Sequence, residues 1–423
     1  MAIREKHKYF ALSGEIRPGG PSTWHVTDWD QRRIISVTMD EEQDDEDLAI
    51  EHLSRIDSSQ LPIDVYRIHV SETGEIISRH GDPNDDKTYF IHYPSFGQLK
   101  PPEGTLTIRR DELEELDRFG PDVDLVAYPP CQRESARKVV FKYYWLFQYA
   151  HSSWKELNLW MRLPRDHPNI VAFDRVVLDE LEGRVVGFTN TYVPGGDLED
   201  NTSRVFKLEW LRQLVNVVDE LNLQYGIAHQ DVAPRNLVVD ESTDSIMLFD
   251  FGCAARINYQ DLENVQRELY SEDRNDVKGL IFSTYEIITR DFSFRDKPHN
   301  EQNPDHLPVV WERHPEVKLD HPVASYQLVL QEWKRRRTGD LIGIKFGDFP
   351  KGIDWPSRPD PPQELDTVKD QHGNPFQVTS LQWEQRRQDV LARGGKGLNW
   401  ERPPQRVLDG VVGVLSNGEV IER

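Results

Sequence analysis

The stretch from Ile227 to Gly252, I-A-H-Q-D-V-A-P-R-N-L-V-V-D-E-S-T-D-S-I-M-L-F-D-F-G, decides how this chain is read. Two apolar runs, Leu237–Val239 and Ile246–Phe249, flank the polar cluster Asp240-Glu241-Ser242-Thr243-Asp244. Apolar runs bounded by a polar turn cluster predict a short β-hairpin. One end of it carries Asp231 and Asn236, the other Asp250 and then the permissive backbone of Gly252. Two carboxylates and an amide gathered by a hairpin suit a divalent cation on a phosphate chain, because Mg²⁺ takes hard oxygen ligands and binds through one or two carboxylates plus substrate phosphates.

These residues resemble the catalytic core of the protein kinase superfamily. Its pattern H-R-D-x-x-x-x-N followed by D-F-G stands here as His229-Gln230-Asp231, Asn236 and Asp250-Phe251-Gly252. Arg235 sits as in the tyrosine-kinase-like form of the loop, and Gln230 replaces the family's Arg. D-F-G alone is weak; the ordered combination is strong when the remaining parts follow.

Several do. Lys138–Tyr144 alternates like the kinase V-A-I-K strand, which makes Lys142 the match to the phosphate-binding lysine; the plain alternative is an ordinary edge-strand lysine. Trp154, Leu157, Leu159 and Leu163 mark a helix carrying Glu156, and H-P-N-I-V follows at 167–171. The resemblance makes Glu156 the charge partner that a lysine beside phosphates needs. Thr189–Leu198 is similar to the kinase hinge: Thr191 and Val193 would offer backbone contacts to adenine, Asn190 takes the gatekeeper place, and Asp197 either reaches the ribose or belongs to a plain interlobe turn. Asp276 matches the aspartate that pins the catalytic loop. Of the family's phosphate-cradling glycine loop only Gly120 remains, and no A-P-E follows D-F-G. A second phosphate cover is the turn 129–135, through Arg133 or Ser135, set against a bland surface turn.

The resemblance runs from about Leu116 to Arg290. It implies an α+β, bilobal protein-kinase-like fold: a small β-rich N-lobe at 106–194 and a mainly helical C-lobe at 195–345, binding ATP and Mg²⁺ between them. Carried over, Asp231 is the base, Arg235 neutralises the transferring phosphoryl group, Asn236 and Asp250 hold Mg²⁺, and Lys142 with Glu156 binds the phosphates. The acceptor is a hydroxyl, protein Ser/Thr/Tyr preferred over a small molecule of the choline or aminoglycoside kinase kind. The rival from another class is a pseudokinase that scaffolds without turnover.

Outside the resemblance, residues 1–105 read as a β-rich segment, with strands near 34–39, 65–70 and 75–78 and a helix after the acidic run Asp40–Asp47. Thr107–Leu116 has helical spacing through Ile108, Leu113 and Leu116, and so do Phe206–Tyr225, 258–265, Val323–Arg337 and Leu381–Ala392. Residues 346–423 form a C-terminal extension, Pro-rich and extended at first, ending in a hairpin about Asn417-Gly418. Lys334–Arg337 serves either as favourable charge at a helix C-terminus or as a nuclear-import signal. A net charge of −22 argues against a duplex nucleic-acid partner. Two cysteines, Cys131 and Cys253, no signal-peptide core and no apolar run of spanning length lead to the expectation of a soluble cytoplasmic protein, the nucleus second.

Overall fold

The computed structural model describes residues 7–56, 61–128, 137–259, 270–369, 372–405 and 412–422. Arg133, Ser135, Cys131 and most of the helix expected at 258–265 fall outside them. The chain divides into two compact units: one contains 1–151, 175–189 and 357–423, the other 152–174 and 190–356.

The first unit opens with a five-stranded sheet of β1 (Tyr9–Ile16), β2 (Ser22–Asp28), β3 (Arg33–Met39), β4 (Arg67–Val70) and β5 (Ile76–His80), paired in chain order. Helix α1 (Glu46–Arg55) starts where Asp45 accepts the N–H of Asp47, and buries Ala49 and Leu53 with Val26, Ile35, Val37 and Ile68. The acidic run therefore ends in a helix cap, where negative charge is favourable.

An eight-stranded sheet follows. Strands β6 (Leu106–Arg109), β7 (Glu114–Gly120), β8 (Val123–Ala127), β9 (Lys138–Tyr143), β10 (Phe173–Leu178) and β11 (Val185–Thr191) take the order β7-β8-β9-β11-β10-β6. The C-terminal hairpin Val412–Leu415 and Val420–Glu422 is added at the β7 edge, with Val414 opposite Glu115. So the C-terminal extension is part of this sheet, and β6 closes the far edge parallel to β10.

The helix expected at Thr107–Leu116 is instead β6, a short 3₁₀ turn at Arg110–Glu112, and β7. Its physical reason lies in what β7 buries. Glu115 and Arg118 are 1% and 0% exposed, so the usual apolar-in, polar-out alternation is inverted and the three apolar residues gave a false period. Their partners are Arg32, Asp30, Asp124 and Arg402: Arg32 grips both oxygens of Asp124 at 2.7 and 2.8 Å, and Arg402 reaches Asp124 at 3.1 Å and pairs with Glu115. Arg118 bonds Asp30 and Glu115. The helix expected at Leu381–Ala392 is likewise shorter, Arg387–Ala392, because Glu384–Arg386 pairs as a strand with Tyr89–Ile91.

On β9, Val139, Phe141 and Tyr143 are buried among Val126, Val177, Val186 and Trp400, which leaves Lys142 on the opposite face by strand alternation. A Cβ placed on Gly187 of β11 would lie 2.2 Å from the Lys142 carbonyl oxygen. That contact is with backbone and cannot swing away. Gly187→Ala is expected to lower the stability of the protein by about 1–3 kcal/mol, the usual cost of overpacking; a urea midpoint equal to the parent's would show that the strands separate freely.

In the second unit, α2 (Ala150–Arg162) precedes the H-P-N-I-V segment. Helix α3 (Leu208–Leu223) buries Leu211, Leu214, Val215, Val218 and Leu221 at three- and four-residue spacing and ends before Gly226, whose φ is +66°. The hairpin follows as β12 (Leu237–Asp240) and β13 (Ser245–Leu248), with Leu237 opposite Leu248. Helices α4 (Asp276–Thr289) and α5 (Val323–Arg337) complete it. Of the basic end of α5, Arg337 is buried and bonds Asp219 and Asn222 of α3 at 2.5 and 3.0 Å, a structural task. No helix among the described residues is long and apolar enough to cross a membrane.

Candidate active site

The register Leu237 to Leu248 brings the residues before β12 and after β13 to one end of the hairpin. The H-P-N-I-V segment clamps it from the side: Val171 N–H donates to Leu248, Leu248 N–H to Asn169, and the Asn169 amide to Ile246, all within 3.0 Å.

The loop that precedes β12 is held from below by one carboxylate. Asp276, 2% exposed at the start of α4, accepts the N–H of His229 at 2.8 Å, that of Gln230 at 2.7 Å and the Asn222 amide at 2.7 Å. Gln230 has φ +61°, a conformation costly outside glycine that persists only when neighbours fix it. The Gln230 side chain donates to the Ser271 carbonyl at 3.0 Å, so an uncharged amide ties this loop to the segment before α4.

Asp231 follows directly. Its Oδ2 accepts the Asn236 amide at 2.8 Å and its Oδ1 accepts Arg235 at 2.6 Å. The Asn236 Nδ2 also donates to the Asp231 carbonyl at 2.8 Å. With its nitrogen spent on Asp231, Asn236 has Oδ1 for a hard cation. His229 donates from Nε2 to the Phe249 carbonyl at 3.0 Å and accepts the Asp231 N–H at Nδ1, 3.3 Å, which fixes its tautomer.

Past β13, Asp250 takes a left-handed conformation, φ +66° and ψ +74°, and accepts the Gly252 N–H at 3.4 Å. Phe251 is fully buried between two rings, Trp160 of α2 at 5.2 Å edge-on and His229 at 4.9 Å. A side chain on Gly252 would come within 3.3 Å of Asp250 Oδ1 and 3.9 Å of Glu156 Oε2. Glu156, 5% exposed on α2, therefore lies beside the D-F-G turn. Asp231, Arg235, Asn236, Asp250 and Glu156 belong to one unit and are brought together; Lys142 and Gly120 belong to the other.

Gly120 ends β7 opposite Val123, so the turn holds only Pro121 and Asp122. Proline has no N–H, and the other turn residue is acidic. This tight hairpin lacks the row of amide donors that cradles phosphates. At the expected hinge, the Thr191 N–H is committed to Ala172 at 3.0 Å, which leaves its carbonyl to offer. Asn190 is 2% exposed with Oδ1 unbonded. Asp197 Oδ1 accepts the N–H groups of Glu199 and Asp200 at 2.9 and 2.8 Å, and burial raises its pKa. Its first task is thus to cap the following turn, with Oδ2 remaining for a ligand.

Sequence reasoning missed three contributors. Asn222 is a polar residue inside an apolar helix, a signal that was readable. Trp160 lies four residues after Glu156 and so on the same helix face. Arg274 donates from Nε to the Gln230 carbonyl at 3.1 Å and places Nη2 3.9 Å from Asp231 Oδ1, with nothing local to announce it.

Among the described residues no cluster of three or more His, Cys, Asp or Glu forms a metal cage. The two-residue set Asn236 and Asp250 suits a cation that arrives with phosphate oxygens instead.

The protein kinase domain model matches residues 127–272. CBL-interacting protein kinase 12 of Oryza sativa subsp. japonica is 34% identical over 111 residues, 25% of this chain and 19% of the relative. CBL-interacting serine/threonine-protein kinase 5 of Arabidopsis thaliana is 33% identical over 111 residues, 24% and 22% of the two chains. Serine/threonine-protein kinase mos of Patiria pectinifera is 37% identical over 65 residues, 15% and 17%. The chain spans about a fifth of the length of the curated relatives it matches. The match at residues 127–272 and the curated kinases similar to this chain support membership of the protein kinase superfamily.

Proposed function

We propose that this protein is an ATP- and Mg²⁺-dependent phosphotransferase that moves the γ-phosphoryl group of ATP to a hydroxyl. The observation that carries the reading is Asp231, held on one oxygen by Asn236 and on the other by Arg235, over a loop pinned by Asp276. A carboxylate fixed in this way still has lone pairs for a third hydrogen bond, so it orients the acceptor O–H and takes its proton. The acceptor oxygen bonds to the γ-phosphorus as the bond from that phosphorus to the β–γ bridging oxygen breaks, and ADP leaves with the electron pair. Arg235 and Lys142 offset charge on the phosphate oxygens. Asn236 Oδ1 and Asp250 would hold Mg²⁺, which neutralises the β- and γ-phosphate charge when bound. The Thr191 carbonyl and the Val193 N–H take the adenine edge, Asp197 Oδ2 the ribose, and Gly120 supplies one backbone contact at most. Similarity to serine/threonine-protein kinases supports a Ser or Thr hydroxyl as the acceptor.

The test is conversion of ATP to ADP with Mg²⁺ by the parent and by Asp231→Asn. Loss of a general base costs about 10²–10⁴-fold, so the variant falls by that factor, and EDTA stops the parent. Equal turnover in parent and variant would sink the reading.

A further inference from the structure

Arginine gathers around Asp231 in a chain that is acidic as a whole. The protein has a net charge of −22, yet two guanidinium groups converge on this one carboxylate, Arg235 at 2.6 Å and Arg274 at 3.9 Å. Among the described residues, Asp231 is the only carboxylate within ion-pair distance of either. Arg274 is fixed through Nε on the Gln230 carbonyl and through Nη2 on the Cys253 sulfur at 3.6 Å, which leaves Nη1 without a partner among the described residues. The two arginine side chains are 33% and 45% exposed, so their remaining N–H groups face solvent beside the carboxylate that would take the acceptor's proton. Lys278 adds a third cation. Its ammonium is held by two neutral carbonyls, those of Asp273 at 2.6 Å and of His299, with the Asp273 and Glu272 carboxylates acting on it from nearby. His299 lies in the field of Arg274, Lys278 and Asp231 alike, which ties the group together in space.

We propose that Arg274, with Arg235 beside it, reads an anionic group on the acceptor, so that the protein phosphorylates hydroxyls flanked by a carboxylate or a phosphate. The inference rests on the phosphotransferase reading above and names its acceptor class. A planar guanidinium with free N–H groups matches both oxyanions, by one bond or by two parallel ones. Two exposed guanidinium groups on an acidic molecule also favour anionic acceptors at the place where the hydroxyl must arrive.

The experiment supplies the full-length protein with ATP, Mg²⁺ and four serine peptides of one length, flanked by Glu, Gln, Lys or phosphoserine. Small hydroxycarboxylates and sugar phosphates, compared with neutral polyols, form the second arm. The acidic or phosphorylated acceptors are expected to exceed their neutral counterparts by about 10- to 100-fold in kcat/KM, the ratio one charge-assisted hydrogen bond supports. Arg274→Gln collapses that ratio towards one, Arg274→Lys keeps part of it, and Arg274→Glu reverses it in favour of the Lys-flanked peptide. A readout that needs no variant is ionic strength: the parent's preference shrinks between low and high salt. The peptide and small-molecule arms separate the two sources of the anion. Equal use of acidic and neutral acceptors, a preference that survives Arg274→Gln unchanged, or Asp231-dependent ATP consumption without transfer to any acidic acceptor overturns the inference and leaves the phosphotransferase reading in place. If no turnover depends on Asp231, that reading falls and the inference with it.

Discussion

Asp276→Ala is expected to lower turnover by at least about 100-fold and to destabilise the protein by about 3 kcal/mol or more. Three donors depend on this carboxylate. In the parent, His229 N–H, Gln230 N–H and the Asn222 amide all end on this carboxylate within 2.8 Å, away from water. Deleting the acceptor leaves each of them buried and unsatisfied, at about 1–3 kcal/mol per group before relaxation. Relaxation is what damages the site. Gln230 holds a costly left-handed backbone with its N–H anchored on this carboxylate, and when it reverts Asp231, the next residue, moves with it. A displacement of about 1 Å costs on the order of 10²-fold in a reaction that depends on positioning. Asn222 shares the load through Ile227 and Arg337, so the change also loosens the end of α3. Urea unfolding and ATP turnover measure the two effects together. A variant that keeps parental turnover would show that the loop is held by something other than this carboxylate.

Arg402→Met is expected to cost about 3–5 kcal/mol, and deletion of residues 397–423 more. Three arginines, Arg32, Arg118 and Arg402, meet three carboxylates, Asp30, Glu115 and Asp124, in the interior of the first unit. Both side chains of the Arg32–Asp124 pair are fully buried. Such a set is balanced only while complete. Removing one partner strands a buried charge, and that penalty, rather than the strength of the pair, gives the magnitude. The chain segments concerned are far apart: Arg32 joins β2 to β3, Asp124 is on β8, and Arg402 precedes the C-terminal hairpin. Trp400 adds to this, stacking on Tyr143 at 4.9 Å and lying against the Arg110 guanidinium at 4.4 Å. A protein trimmed to residues 106–345 would lose both flanking arginines and should fail to fold as a soluble species. Denaturation midpoints of Arg402→Met and parent test this, and coincident curves would show that the network contributes nothing.

The hairpin and its polar residues were legible because Asp231, Asn236 and Asp250 stand at intervals no packing rule demands. Helices α3 and α5 were legible for a different reason, since their apolar faces repeat at three and four residues. The strands from 106 to 120 were not, because Glu115 and Arg118 are inside and defeat any pattern that sends charge outward. Strands β1 and β2 escaped notice for lack of a long β-branched run. The placement of the C-terminal hairpin at the β7 edge depends on pairing across about 300 residues, which local sequence does not encode. The loop around Gly120 was read as a remnant glycine cradle, and a two-residue turn through Pro121 is what the chain forms. Arg274 carries no local signal; its meaning comes from lying against Gln230 and Asp231 after the chain has folded.

The most direct test follows the phosphorus itself. The full-length protein is incubated with γ-³²P-ATP, Mg²⁺ and a serine acceptor, and label is counted in the acid-stable phosphomonoester and in free phosphate, for the parent and for Asp250→Asn. Label is expected on the acceptor for the parent, dependent on Mg²⁺, with a loss of at least about 100-fold for the variant that lacks the carboxylate proposed to hold the cation. Label that never enters a hydroxyl, or that enters it equally in both proteins, would contradict the phosphotransferase reading.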